Sequence, residues 1–190
     1  MREHIAEYSG KLAAALKLEA MGSVPALGEA LREAWKAGRS VFICGNGGSA
    51  ANAIHIANDL FFGAGTGSGA GLRVEALSAN PAVLTCLAND LGYDRIFAEQ
   101  IKVKGSPGDV LIALSGSGNS PNIVQALEMG NAKGLQTFAI LGYSGGRCKS
   151  IARHALHFEI DDMQIAEDLQ LIVGHICMQW LRANPVGGGQ

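Results

Sequence analysis

Residues Ser40–Ser49 read SVFICGNGGS, and residues Asp109–Ser120 read DVLIALSGSGNS. In the first a short run of consecutive apolar residues stops at Gly45, and in the second at Ser115, just before Gly116. No polar residue alternates within Val41–Cys44 or Val110–Leu114, so neither run has a solvent face. Runs this short, rich in β-branched and aromatic residues, read as strands buried on both sides, the mark of a parallel sheet with helices on each face. Each glycine turn hands over to a helical pattern, from about Ser49 to Phe62 and from Pro121 to Lys133. The chain therefore contains strand–turn–helix units.

The same grammar extends in both directions. Arg73–Leu77, Gln136–Leu141 and Ala155–Ile160 read as further strands, with helical segments at Pro81–Leu87 and Asp94–Val103 and a short helical turn at Gly146–Ala152. Residues 3–20 and 24–37 carry apolar positions at three-to-four spacing, so two amphipathic helices precede the first strand. Gln164–Arg182 reads as a long, largely apolar closing helix. The expected fold is a three-layer α/β/α sandwich on a mainly parallel sheet. No repeat, linker or charge block divides the chain, so one domain is expected over residues 1–183, with 184–190 as a frayed tail.

Composition narrows the partners. Fifteen Lys+Arg against seventeen Asp+Glu give a net charge of −2, which leaves no surplus positive field for nucleic acid or acidic lipid. No apolar run reaches the length of a membrane span and Met1–Ala15 has no signal-peptide core, so a cytoplasmic protein is expected. Four cysteines (Cys44, Cys86, Cys148, Cys177) lack CxxC spacing and read as reduced thiols rather than a disulfide framework or zinc ribbon.

The two loops suit an anion. A strand-to-helix turn directs free backbone N–H groups and the positive end of a helix dipole at one point, and glycine clears the approach. Gly45, Gly47 and Gly48 supply this in the first loop, and Ser49 adds a hydroxyl. Gly116 and Gly118 supply it in the second, with hydroxyls from Ser115, Ser117 and Ser120 and no cation. Neither loop continues into the Lys-Ser/Thr of a P-loop or has GxGxxG spacing, so no nucleotide cofactor is expected. Two such loops after two buried strands would converge at the carboxyl edge of the sheet, where open α/β sheets bind ligands. A phosphate monoester held by neutral donors fits them.

Taken together, GNGGSAANAIHIANDL, SANPAVLTCLANDLGYDRIFAEQI, GDVLIALSGSGNSPNIVQAL and ILGYSGG resemble the sugar isomerase (SIS) domain, and more narrowly the phosphoheptose isomerases, over about residues 3–182. That group converts sedoheptulose 7-phosphate to D-glycero-D-manno-heptose 7-phosphate. The resemblance implies a homotetramer with sites at subunit interfaces and a zinc ion held by His55, Asp59, Glu167 and His175. It departs from the group's pattern twice: Asp59 stands where the family has glutamate, and Glu167 where it has glutamine.

Residue chemistry bears on the same four. His55 and Asp59, spaced i, i+4, share one helix face and could hold a metal or substrate together, or form a plain surface hydrogen bond. His175 lies in an apolar helix, where a core histidine is the alternative to a catalytic one. Glu167 and His175 are eight residues apart, about 12 Å along a continuous helix, so one chain would be strained to bring both to one ion. Aldose–ketose isomerisation moves a proton between C1 and C2 through an enediol and needs no redox cofactor. His175, with Asp59 or Glu167, would transfer the proton. Ser49, Ser115, Ser117 and Ser120 would hold the phosphate, and Asn46 and Asp90 would orient sugar hydroxyls, unless Asp90 merely caps a turn.

The arginine that the family carries after this helix is absent; Phe61–Gly71 is glycine-rich and neutral, either a lid or an ordinary loop. Two other readings follow: an isomerase of another phosphosugar, or a non-catalytic SIS protein like the relative that binds the replication initiator. Two histidines and two carboxylates directed at a phosphate site argue against the latter.

Overall fold

The computed structural model describes residues 1–66 and 69–186. The end of the expected tail, residues 187–190, and residues 67–68 of the glycine-rich loop lie outside the described residues.

Five strands form one sheet: β1 (Ser40–Gly45), β2 (Arg73–Ala76), β3 (Val110–Ser115), β4 (Gln136–Leu141) and β5 (His154–His157). All neighbours are parallel, in the order β2-β1-β3-β4-β5. The chain works outward to one side from β1 and to the other from β3, so the topological switch falls between these two strands. In their register Gly45 lies opposite Leu114, which sets the loop starting at Asn46 beside the one starting at Ser115.

Alternation in the strands serves two cores. Val41, Ile43, Val110, Ile112, Leu114, Phe138, Ile140 and Leu156 face α1 (Arg2–Ala15), α2 (Val24–Lys36), α3 (Gly48–Asn58) and α8 (Met163–Ala183). Phe42, Cys44, Leu111, Ala113, Ala139 and Leu141 face α4 (Pro81–Leu91), α5 (Ala98–Lys104), α6 (Pro121–Ala132) and α7 (Cys148–Ile151). This is the expected sandwich, and every pairing in it is parallel. Among the described residues no helix is long and apolar enough to cross a membrane.

Local differences from the sequence reading have physical causes. α1 stops at Ala15 rather than at residue 20: Lys17 and Leu18 bond to carbonyls three residues back, and a 3-10 turn follows at Glu19–Ser23. No breaker residue marks this stop. α4 runs on to Leu91 and is ended by Gly92 in the left-handed region, φ +100°. The helix expected to reach Phe62 gives way after Asn58 to a π turn, Asp59–Gly63, closed by Ala64 N–H donating to the Asp59 carbonyl at 3.1 Å.

Candidate active site

Four positions on α3 meet four on α8, and both series ascend, so the helices lie parallel. Gly48 faces Glu167: a β-carbon on Gly48 would fall 2.4 Å from Glu167 Oε1. Asn52 Nδ2 donates to the Glu167 carbonyl and to Gln170 Oε1, each at 3.0 Å. A β-carbon on Gly174 would fall 2.6 Å from Ile56 Cγ1, so the missing side chain permits close approach. There His55 and His175 meet, with Nε2 atoms 3.0 Å apart.

Asp59 completes a triangle. Its Oδ2 lies 3.5 Å from His55 Nε2 and 3.5 Å from His175 Nε2. Three atoms bound to one ion at about 2.0–2.2 Å in tetrahedral geometry stand about 3.3–3.6 Å apart; both Asp59 separations match and the 3.0 Å between the imidazole nitrogens is a few tenths short, so these side chains could hold a zinc-sized cation after a small parting of the rings. The histidine side chains are 52% and 41% exposed, which leaves a side open to a fourth ligand. Without a cation, two imidazole nitrogens this close must share a proton.

Glu167 is not a fourth member within one chain, as its eight-residue distance from His175 along one helix implies. The ligand atoms lying within 4.8 Å of one another belong to His55, Asp59 and His175. α8 is unbroken from Met163 to Ala183, so the eight-residue spacing holds the carboxylate two turns away, at the N-terminus of α3. The three that do meet need no partner subunit. The Glu167 carboxylate has no hydrogen bond or ion pair among the described residues, whereas that of the next residue, Asp168, accepts a 2.6 Å bond from Tyr8 Oη. That bond, with burial and the carboxylate's charge, pushes the Tyr8 phenol up to about 12 and ties α1 to α8.

The loops converge as their strands require. Gly47 adopts φ +55° and precedes the first turn of α3. Asn46 and Asn122 exchange amide bonds of 2.9 and 2.8 Å across the switch point, and Tyr93 Oη donates to Asn46 Oδ1 at 3.0 Å. Asn46 thus braces the two loops. Ser49 is buried. Ser115 Oγ accepts the Gly118 N–H at 3.0 Å and Ser117 Oγ the Asn119 N–H at 3.3 Å, so Ser115 shapes the turn from a buried position while Ser117 is half-buried at its rim. Ser120 caps α6 without a side-chain cap bond, and its hydroxyl has no hydrogen-bond partner among the described residues. Asp90 bonds only locally, to Asn89 Nδ2 and Cys86 Sγ; no hydrogen bond or ion pair among the described residues joins it to either loop. Tyr93, three residues on, is the residue of this segment that reaches the first loop, through Asn46. The thiols behind the loops are buried, which pushes Cys44 well above the ordinary thiol range and Cys148 up to about 11 and so favours their protonated form.

Comparison with known proteins agrees with this geometry. The SIS domain family model matches residues 5–142. Phosphoheptose isomerase of Akkermansia muciniphila is 34% identical over 167 residues, covering 88% of each chain, and that of Synechocystis sp. 35% identical over 180 residues, covering 94% of this chain and 92% of its own. The chain belongs to the SIS domain family, among the phosphoheptose isomerases. The phosphoheptose isomerase structure from Neisseria gonorrhoeae shares the fold, with a TM-score of 0.85 at 24% identity over 96% of this chain and 98% of that one. The Francisella tularensis structure does so with a TM-score of 0.87 at 23% identity, over 95% and 97%.

Proposed function

We propose that the protein is an aldose–ketose isomerase that converts sedoheptulose 7-phosphate to D-glycero-D-manno-heptose 7-phosphate. The observation that carries this is the joining of two neutral, anion-suited loops at the switch point to a His/Asp/His triangle and a free carboxylate on α8. Its relatives bear the name of this activity across nearly the whole chain.

In this reading the phosphate lies against the α6 N-terminus, with Ser117 and Ser120 as donors. Asn46, Gly47, Gly48 and Ser49 border the sugar. A base removes a proton from C1, the electron pair forms the C1–C2 double bond of an enediol, and O2 takes a proton. Return of a proton to C2, with loss of the O1 proton, leaves the aldehyde at C1. Glu167 is the base, because its carboxylate is unpaired and stands at the mouth of the first loop, whereas Asp59 Oδ2 is engaged by both histidines. His55, Asp59 and His175 would hold a zinc ion. A divalent cation there supplies polarisation of a carbonyl oxygen. His175 Nε2 cannot ligate and carry a proton at once, so proton transfer by His175 belongs only to a metal-free enzyme.

The protein acts in this reading as a cytoplasmic homotetramer with active sites at subunit interfaces. Supporting this are the exposed Phe61 and Phe62 beside Asp59, the open face of the histidine pair, and four free cysteines suited to a reducing compartment. A different phosphosugar is the second reading, favoured by Leu60–Thr66, which carries no cation after α3. Turnover of a panel of ketose phosphates, followed by NMR, decides between them. Preference for a pentulose or hexulose phosphate over sedoheptulose 7-phosphate would discard the heptose assignment.

A further inference from the structure

Tyr143 is the sole non-glycine with a left-handed backbone among the described residues, at φ +44°. A bulky side chain is strained there, and such strain persists only where surroundings enforce it. Both sides do so. The Tyr143 N–H donates to the Ile160 carbonyl at 2.9 Å, and its carbonyl accepts from His157 Nε2 at 2.8 Å. Glycine would relieve the strain, and the flanking Gly142, Gly145 and Gly146 show how readily this loop uses it.

The ring explains what tyrosine offers instead. The loop after β4 is locked to the second glycine loop: Gly142 N–H donates to the Gly116 carbonyl at 3.0 Å, Cys148 N–H to the Gly118 carbonyl at 2.9 Å, and Arg147 N–H to Asn119 Oδ1 at 3.0 Å. Tyr143 Cε2 comes within 3.8 Å of where a β-carbon on Gly116 would stand, and Met163 Sδ within 2.6 Å of the same point. The phenol oxygen is two bonds beyond Cε2, which keeps it within about 6 Å of that point beside the 115–120 loop. Among the described residues the hydroxyl has no hydrogen-bond partner. It adds a neutral donor to a loop whose other side-chain donors are also neutral.

We propose that Tyr143 is a further substrate-binding residue, its hydroxyl donating to the phosphate end of a sugar phosphate held by residues 115–120, with His157 as the positioning residue that fixes the tyrosine backbone. This rests on the reading of the site as one for sugar phosphates. The test compares wild type with Tyr143→Phe and Tyr143→Gly by calorimetric binding of sedoheptulose 7-phosphate, by kcat and KM, and by thermal unfolding. The Phe variant should raise Kd and KM about tenfold, the loss of one hydrogen bond to a charged group, with kcat within about twofold and an unchanged midpoint. The Gly variant should bind at least as weakly while unfolding at or above the wild-type temperature. An unchanged Kd in the Phe variant, or a less stable Gly variant with wild-type Kd, would overturn the proposal and leave Tyr143 a structural residue. Wild type that binds the sugar phosphate without turning it over would sink the isomerase reading alone, since the Kd comparison still decides Tyr143. Absence of binding by the wild type would sink both.

Discussion

The Glu167 carboxylate has no hydrogen-bond or ion-pair partner among the described residues. Its division of labour with Asp59 is testable at the level of single atoms. Glu167→Gln keeps the shape and removes the base, so kcat should fall by about 10²–10⁴ while substrate Kd stays near wild type. Zinc content, measured by elemental analysis, should be unaffected in the same variant but lost in His55→Ala and His175→Ala. A Glu167→Gln protein with full activity would return the base to α3, and one without zinc would restore Glu167 to the ligand set. The thiols give an independent check on burial. Cys177 is pushed up to about 12, and Cys44 and Cys148 are also raised, so all three should resist alkylation at pH 8 until the protein unfolds. Fast labelling of Cys44 in folded protein would mean that the strand behind the first loop opens.

The parallel pair of α3 and α8 makes the site, and it depends on a glycine whose neighbour in sequence is the histidine it delivers. Gly174→Ala would drive a methyl group into Ile56, with an expected destabilisation of about 1–3 kcal/mol. Ile56→Ala in the same chain should recover part of that loss, a coupling that a double-mutant cycle in urea would measure. Additive effects would show that the helices do not touch there. At the start of α8, Asp162 caps the helix, and the Ile165 N–H holds its carboxyl below the usual aspartate range, with Lys11 assisting. A lowered folded pKa means stability present above the unfolded value and lost as pH falls through the folded one. Asp162→Ala should therefore lower the urea midpoint at pH 7, and the gap should close as the pH falls below about 3–4. This pairing of helices was not legible in the sequence. His55 and Asp59 could be grouped by spacing, but the approach of His175 is set by the Gly174–Ile56 contact, which no local pattern announces. Nor did periodicity reveal the π turn at Asp59.

Across the whole molecule, what was legible was whatever a residue type must do by itself. Uninterrupted apolar runs followed by Gly/Ser turns marked β1 and β3 as buried parallel strands, and the convergence of their loops followed from the rule for ligand sites at the carboxyl edge. The braces between the loops were not legible, because Asn46, Asn122 and Tyr93 are ordinary polar residues until the sheet order brings them together. Tyr93 had no signal in the sequence, because only the packing of its segment against the first loop brings its hydroxyl to Asn46. The central claim, that this arrangement isomerises a heptose phosphate with help from zinc at His55, Asp59 and His175, is tested most directly in one measurement. Purified protein is incubated with sedoheptulose 7-phosphate, and product is followed by NMR before chelation, after it, and after zinc is returned. The account predicts turnover that falls on chelation and recovers with zinc; folded, zinc-loaded protein that produces no aldose phosphate would contradict it.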